Sequence, residues 1–172
     1  ITNIENTSFK NNKAAKKNGG AIYNAGTITS IIGGSFKGNG YDANSPQNAE
    51  QYTSVGGAIY NHDMENTYIG TINSSFSDNR AQYGGGAIFN NGNINKISGN
   101  FDNNYSGSEG GGAIKNKKHI ASVENAIFTK NKSDNLMVPS TLDGKGGAIY
   151  NFEQGAQIDN IQSSKFYANT SN

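Results

Sequence analysis

The sequence predicts an all-β fold: a single-stranded parallel β-helix of about six coils. Three observations lead there. The string Gly-Gly-Ala-Ile occurs five times, starting at Gly19, Gly56, Gly85, Gly111 and Gly146. It alternates without exception with Phe-x-x-Asn, which occurs six times. Both strings lie in short Ile/Val/Phe segments bounded by Gly and Asn, a pattern of strands and turns.

Each Gly-Gly-Ala-Ile is followed by one variable residue and then Asn. The Ile members are Ile22, Ile59, Ile88, Ile114 and Ile149; the Asn members are Asn24, Asn61, Asn90, Asn116 and Asn151. Stacked coils place equivalent residues above one another, so each set is expected to form a ladder. The Gly pair marks a corner that needs a positive φ or a close backbone approach. The variable residue is Tyr23, Tyr60, Phe89, Lys115 or Tyr150, and a Lys in that set argues that the position faces out.

A pair of apolar residues three apart comes next, as in Ile28/Ile31, Ile69/Ile72, Ile94/Ile97 and Ile120/Val123. Then comes Phe-x-x-Asn. Its Phe members are Phe9, Phe36, Phe76, Phe101, Phe128 and Phe166, expected as a second interior stack. Its Asn members are Asn12, Asn39, Asn79, Asn104, Asn131 and Asn169. Asn tolerates left-handed backbone at turns, and stacked amides can bond from coil to coil.

Successive Phe residues are 27, 40, 25, 27 and 38 apart, so the basic unit is about 25–27 residues and two units are longer. The extra residues form insertions at 40–55 and 132–145, and each contains one of the two prolines. The lengths suggest a three-coil unit of about 90 residues present almost twice. Helical repeats are longer and need helix formers, whereas Gly and 28 Asn penalise helix in every period. The whole of 1–172 reads as one solenoid segment. It starts with Ile1, within the repeat, and so as an excerpt of a longer repeat protein.

Composition narrows the function. The net charge of +1 offers no footprint for nucleic acid, and no apolar run is long enough to span a membrane. Cysteine is absent, which removes thiolate chemistry and cysteine metal sites. The calcium-binding nonapeptide repeat is missing, and no cofactor or metal is expected. Acids are scattered; Asp78 and Asp102 are the nearest approach to a catalytic pair and read as solvated turns. His62 reads as a solvent-facing loop residue. Lys115, Lys117, Lys118 and His119 form a short basic cluster that could meet an anionic glycan or lipid, with a solvated face as the plainer reading. No catalytic residues are assigned, and the chain is expected not to be an enzyme.

The insertions are the best candidates for partner binding, because binding residues concentrate in loops held on a rigid scaffold. Their candidate contacts are Tyr41, Asp42, Tyr52, Leu136, Met137 and Val138.

Gly-Gly-Ala-Ile alternating with Phe-x-x-Asn resembles the repeat of the chlamydial polymorphic membrane proteins. Related autotransporter passengers and adhesin-like surface proteins carry the same pair of motifs. The resemblance covers essentially the whole chain. It implies a right-handed parallel β-helix at the cell surface, outer-membrane-associated or secreted, with adhesion as its role and no catalytic residues. Many chlamydial members carry cysteines, and this chain departs from them there. The expected partner is a surface protein or glycan of a host or neighbouring cell. The alternative is a structural protein that self-associates through open coil ends into an extracellular fibre. A carbohydrate-active β-helix enzyme ranks third.

Overall fold

The computed structural model describes residues 1–15, 17–40, 54–134 and 145–172. These residues fold as stacked coils whose strands lie in three parallel sheets, and among them there is no helix. The long sheet holds β1 (Asn3–Glu5), β2 (Ser8–Lys10), β4 (Thr27–Lys37), β6 (Tyr68–Ser77), β9 (Asn93–Asp102), β12 (His119–Thr129), β15 (Gln157–Gln162) and β16 (Lys165–Tyr167). The second contains β3 (Ile22–Asn24), β5 (Ile59–Asn61), β8 (Ile88–Asn90), β11 (Ile114–Asn116) and β14 (Ile149–Asn151). The shortest contains β7 (Arg80–Ala81), β10 (Tyr105–Ser106), β13 (Lys132–Ser133) and β17 (Thr170–Ser171). Every strand pairs in parallel with its equivalent one coil away, which is the parallel β-helix that the repeat predicts.

The predicted ladders form in register. Ile22, Ile59, Ile88, Ile114 and Ile149 are aligned through the second sheet. The six Phe rings stack nearly parallel with centroids 4.6–4.8 Å apart, the spacing of neighbouring strands. The pairs Ile28/Ile31, Ile69/Ile72, Ile94/Ile97 and Ile120/Val123 point inward at both members. Strict alternation would forbid this. The pairing skips one residue between them (Thr29 against Gly70, Asn95 against Ala121), and the strand bends there.

Both Asn columns are interior except at their ends, where Asn151 is exposed and Asn12 and Asn169 are half-buried. In the Phe-x-x-Asn column, Asn39 donates its Nδ2 to Asn79 Oδ1 at 2.9 Å, and Asn79 donates to Asn104 at 2.9 Å. Asn104 and Asn131 each donate in turn to the next member. Asn24, Asn61, Asn90, Asn116 and Asn151 are linked in the same way, at 2.7–2.8 Å. The amides therefore satisfy buried backbone and one another, a fully bonded polar network inside an apolar tube.

One detail differs from the sequence reading. The ladder Asn residues do not hold the left-handed backbone; in the Phe-x-x-Asn column the residue before each does. Asn11, Gly38, Asp78, Asn103, Lys130 and Ala168 have φ between 51° and 64°. That residue turns the corner and aims the following amide inward. The Gly pair divides its two requirements. The first Gly has φ of 60–70°, and a Cβ on the second would collide with a carbonyl of the next coil, as Gly86 would with Gly112 O.

Lys132 and Ser133, assigned from sequence to the second insertion, belong to β13, in register with Tyr105 and Ser106. The remaining insertion candidates, Tyr41, Asp42, Tyr52, Leu136, Met137 and Val138, lie outside the described residues.

Candidate functional site

The outward face of the second sheet carries Tyr23, Tyr60, Phe89, Lys115 and Tyr150 in register. They point away from the tube, as alternation within each strand requires. Facing outward does not leave them in solvent. Tyr23 is 51% exposed, but Tyr60 and Phe89 are buried and Lys115 is only 2% exposed. The chain leading into Gly85-Gly86 and into Gly111-Gly112 crosses this face closely. A Cβ on Gly84 would stand 2.6 Å from Lys115 Cδ, and one on Gly110 would stand 2.5 Å from Tyr150 Cδ1. Glycine there makes room for the ladder beneath.

The Lys115 ammonium is held in this covered layer. Its Nζ donates to Glu109 Oε2 at 2.8 Å and lies 4.9 Å from the Phe152 ring centroid and 5.6 Å from that of Phe89. Burial pulls its pKa below the usual lysine value, and Glu109 opposes that shift. Burial likewise raises the Tyr60 phenol. His62 is half-buried, its ring 5.5 Å from Tyr23 and 5.6 Å from Tyr60, so it extends the aromatic layer rather than standing in solvent.

The basic cluster is neutralised. Lys117 pairs with Glu153, Lys118 with Asp63 at 2.6 Å, and His119 Nε2 lies 2.9 Å from Asp159. With Lys115 on Glu109, each base of the cluster has its own acid, and no cationic patch is left for an anionic ligand. Hydrogen bonding to Lys118 holds Asp63 below the usual carboxylate range.

Asp78 and Asp102 are on adjacent coils but one step out of register, since Ser77 is opposite Asp102. Asn103 donates its Nδ2 to Asp78 Oδ1 at 2.7 Å. Among the described residues, no group of three His, Cys, Asp or Glu is placed to hold a metal ion.

The sequence motifs missed a groove of about 600 Å³ on the outside of the long sheet. It lies where each coil bends between its Ile pair and its Phe. Its lining comes from β4, β6, β9 and β12: Gly33 and Gly34, Ser74 and Ser75, Ser98 and Gly99, with the amides of Asn73, Asn100 and Asn125 at its edges. Lys96 borders it and pairs with Glu124, whose pKa that pairing lowers. No shared motif marks these positions, because Asn73 is opposite Ser98 whereas Asn100 is opposite Ser75.

Three stretches match the Chlamydia polymorphic membrane protein repeat: residues 6–25, 73–91 and 125–151. Each begins just before a Phe-x-x-Asn and runs through the next Gly-Gly-Ala-Ile. The resemblance carried by the motifs is thereby supported by an independent comparison. No curated protein and no solved structure matches the chain.

Proposed function

We propose that the chain is a non-catalytic rod that displays binding surfaces at the cell surface or outside the cell, as the passenger of an adhesin does. The observation that carries this reading is the uninterrupted ladder. Strand pairing runs in register from β3 to β14 although the Phe-to-Phe spacing varies from 25 to 40 residues. The insertions thus add chain at one corner without disturbing the rod. The match to a repeat of surface membrane proteins supports the same reading. Many weak contacts along a rod would add through avidity.

The test is adhesion of epithelial cells to surfaces coated with the purified chain. Deleting 41–53 and 135–144 together should reduce adhesion while the far-ultraviolet spectrum of β structure stays the same. Equal adhesion to this chain and to an unrelated β-helix would overturn the reading.

Self-association is the second reading. Phe166 is 44% exposed, whereas Phe128, one coil earlier, is fully buried. A further coil, from the same protein or from a second copy, would cover it. Fibres with an axial repeat of about 4.8 Å in electron micrographs would favour this reading.

A further inference from the structure

We propose that the groove across β4, β6, β9 and β12 binds a neutral, hydroxyl-rich chain: a glycan lying along the rod axis. The inference rests on the reading of the chain as a display rod and gives that rod a ligand class.

Unspent amides carry most of the weight. Nearly every Asn in the two columns is committed to its neighbours. Asn73, Asn100 and Asn125 are exposed, and among the described residues no hydrogen bond uses their side chains. A free carboxamide offers two donors and an acceptor on one rigid group. Sugar hydroxyls, which donate and accept at once, match that pattern.

The floor is main chain. Gly33, Gly34 and Gly99 line it, and the space a Cβ would take at each is filled by the neighbouring coil, by Asn6 Oδ1 and the main chains of Thr7 and Ser74. The Ser74 hydroxyl donates to Gly33 O at 2.7 Å and that of Ser98 to Ile72 O at 3.2 Å, which leaves their oxygens able to accept. Exposed Ile32 at the β4 end gives an apolar contact for C–H groups.

Charge and topology decide against the other ligands. Lys96, the one cation in the lining, is neutralised by Glu124, so nothing selects a sulfated or phosphorylated chain. A peptide adding as a strand needs an open sheet edge. Here β6 and β9 are paired on both sides. The lining spans four coils, about 14 Å of axis, which suits several linked sugars better than one.

The test is calorimetric titration of the full chain with cellohexaose, maltohexaose and chitohexaose, with a heparin-derived hexasaccharide as the charged contrast. At least one neutral oligosaccharide should bind saturably. The double variant N73A/N100A, which changes only exposed side chains, should bind it about tenfold or more weakly at an unchanged melting temperature. S75W, which fills the groove, should abolish binding. The proposal is overturned if no neutral oligosaccharide binds at millimolar concentration, if N73A/N100A binds equally well, or if the heparin fragment is preferred. Cell adhesion by the parent chain separates the two readings: adhesion by a chain that binds no neutral oligosaccharide sinks this inference and leaves the display rod standing.

Discussion

Asn79 and Asn104 are joined twice. Asn104 Oδ1 accepts the main-chain N–H of Asn79 at 3.1 Å and its side-chain amide at 2.9 Å. Asn104 Nδ2 in turn donates to Asn131 Oδ1 at 2.9 Å and to Phe76 O at 3.1 Å. One buried side chain therefore ties together four polar groups on three coils; its loss takes a bond from each and leaves the Asn79 N–H without its acceptor, although Asn131 Oδ1 keeps the Asn104 main-chain N–H and Asn79 Nδ2 keeps Phe36 O.

Asn104→Ala is expected to cost about 3 kcal/mol or more, since the stranded N–H costs about 1–3 kcal/mol and the other lost bonds add to it. Asn104→Asp should be worse near neutral pH, where it places a carboxylate beside Asn131 Oδ1 and Phe76 O, and should recover partly on acidification. Urea denaturation at pH 7 and pH 4 checks both. Asn169→Ala, at a half-buried ladder position, should cost less.

Glu109→Gln leaves the Lys115 ammonium buried without its carboxylate. Because Glu109 itself is partly exposed, a loss of about 1–2 kcal/mol is expected rather than that of a fully buried pair. Lys115→Phe continues the aromatic column from Phe89 and should be neutral or stabilising. The pH dependence has a defined sign. The folded pKa of Lys115 lies below its unfolded value, so between the two the unfolded chain binds more protons. Stability contributed at this residue must rise with pH through a window that ends near 10.5. The melting temperature of the parent should therefore gain on that of Lys115→Met between pH 7 and pH 10. A flat or falling difference refutes the assignment.

Gly86→Ala should destabilise by about 3 kcal/mol, because its Cβ would meet Gly112 O and the main chain of Tyr105 with no room to relax. Gly26→Ala meets nothing within 4 Å and has no positive φ. It should stabilise by about 0.5 kcal/mol through the unfolded state. Thermal melts of the two variants separate a corner that needs glycine from one that only contains it.

Lys130 turns its corner at φ 54°, where Gly38 stands three coils earlier. Lys130→Gly should raise stability by up to about 1 kcal/mol by removing left-handed strain from a side chain. A loss on this substitution would mean that the strain is smaller than the entropy cost of glycine.

The ladders were legible in the sequence because a solenoid repeats one environment in every coil. Ile88 and Phe101 each stand between copies of themselves, so periodicity and burial give the same answer. The left-handed corner was not legible. Its residues are Asn, Gly, Asp, Asn, Lys and Ala, because the ladder on either side imposes the conformation and the local residue only tolerates it. The burial of Lys115 was hidden for a related reason: its cover comes from Gly84, in a different part of the coil. The groove left no motif, since Asn73 and Asn100 occupy different rows of the long sheet.

Every amide bond in both Asn columns runs in one sense, from the Nδ2 of one coil to the Oδ1 of the next toward the C-terminal end. The small dipoles add rather than cancel, giving the rod a head and a tail that differ electrically. Any two neighbouring coils therefore fit the amide columns only when they point the same way; coils set head to head would oppose acceptor to acceptor, and coils set tail to tail donor to donor.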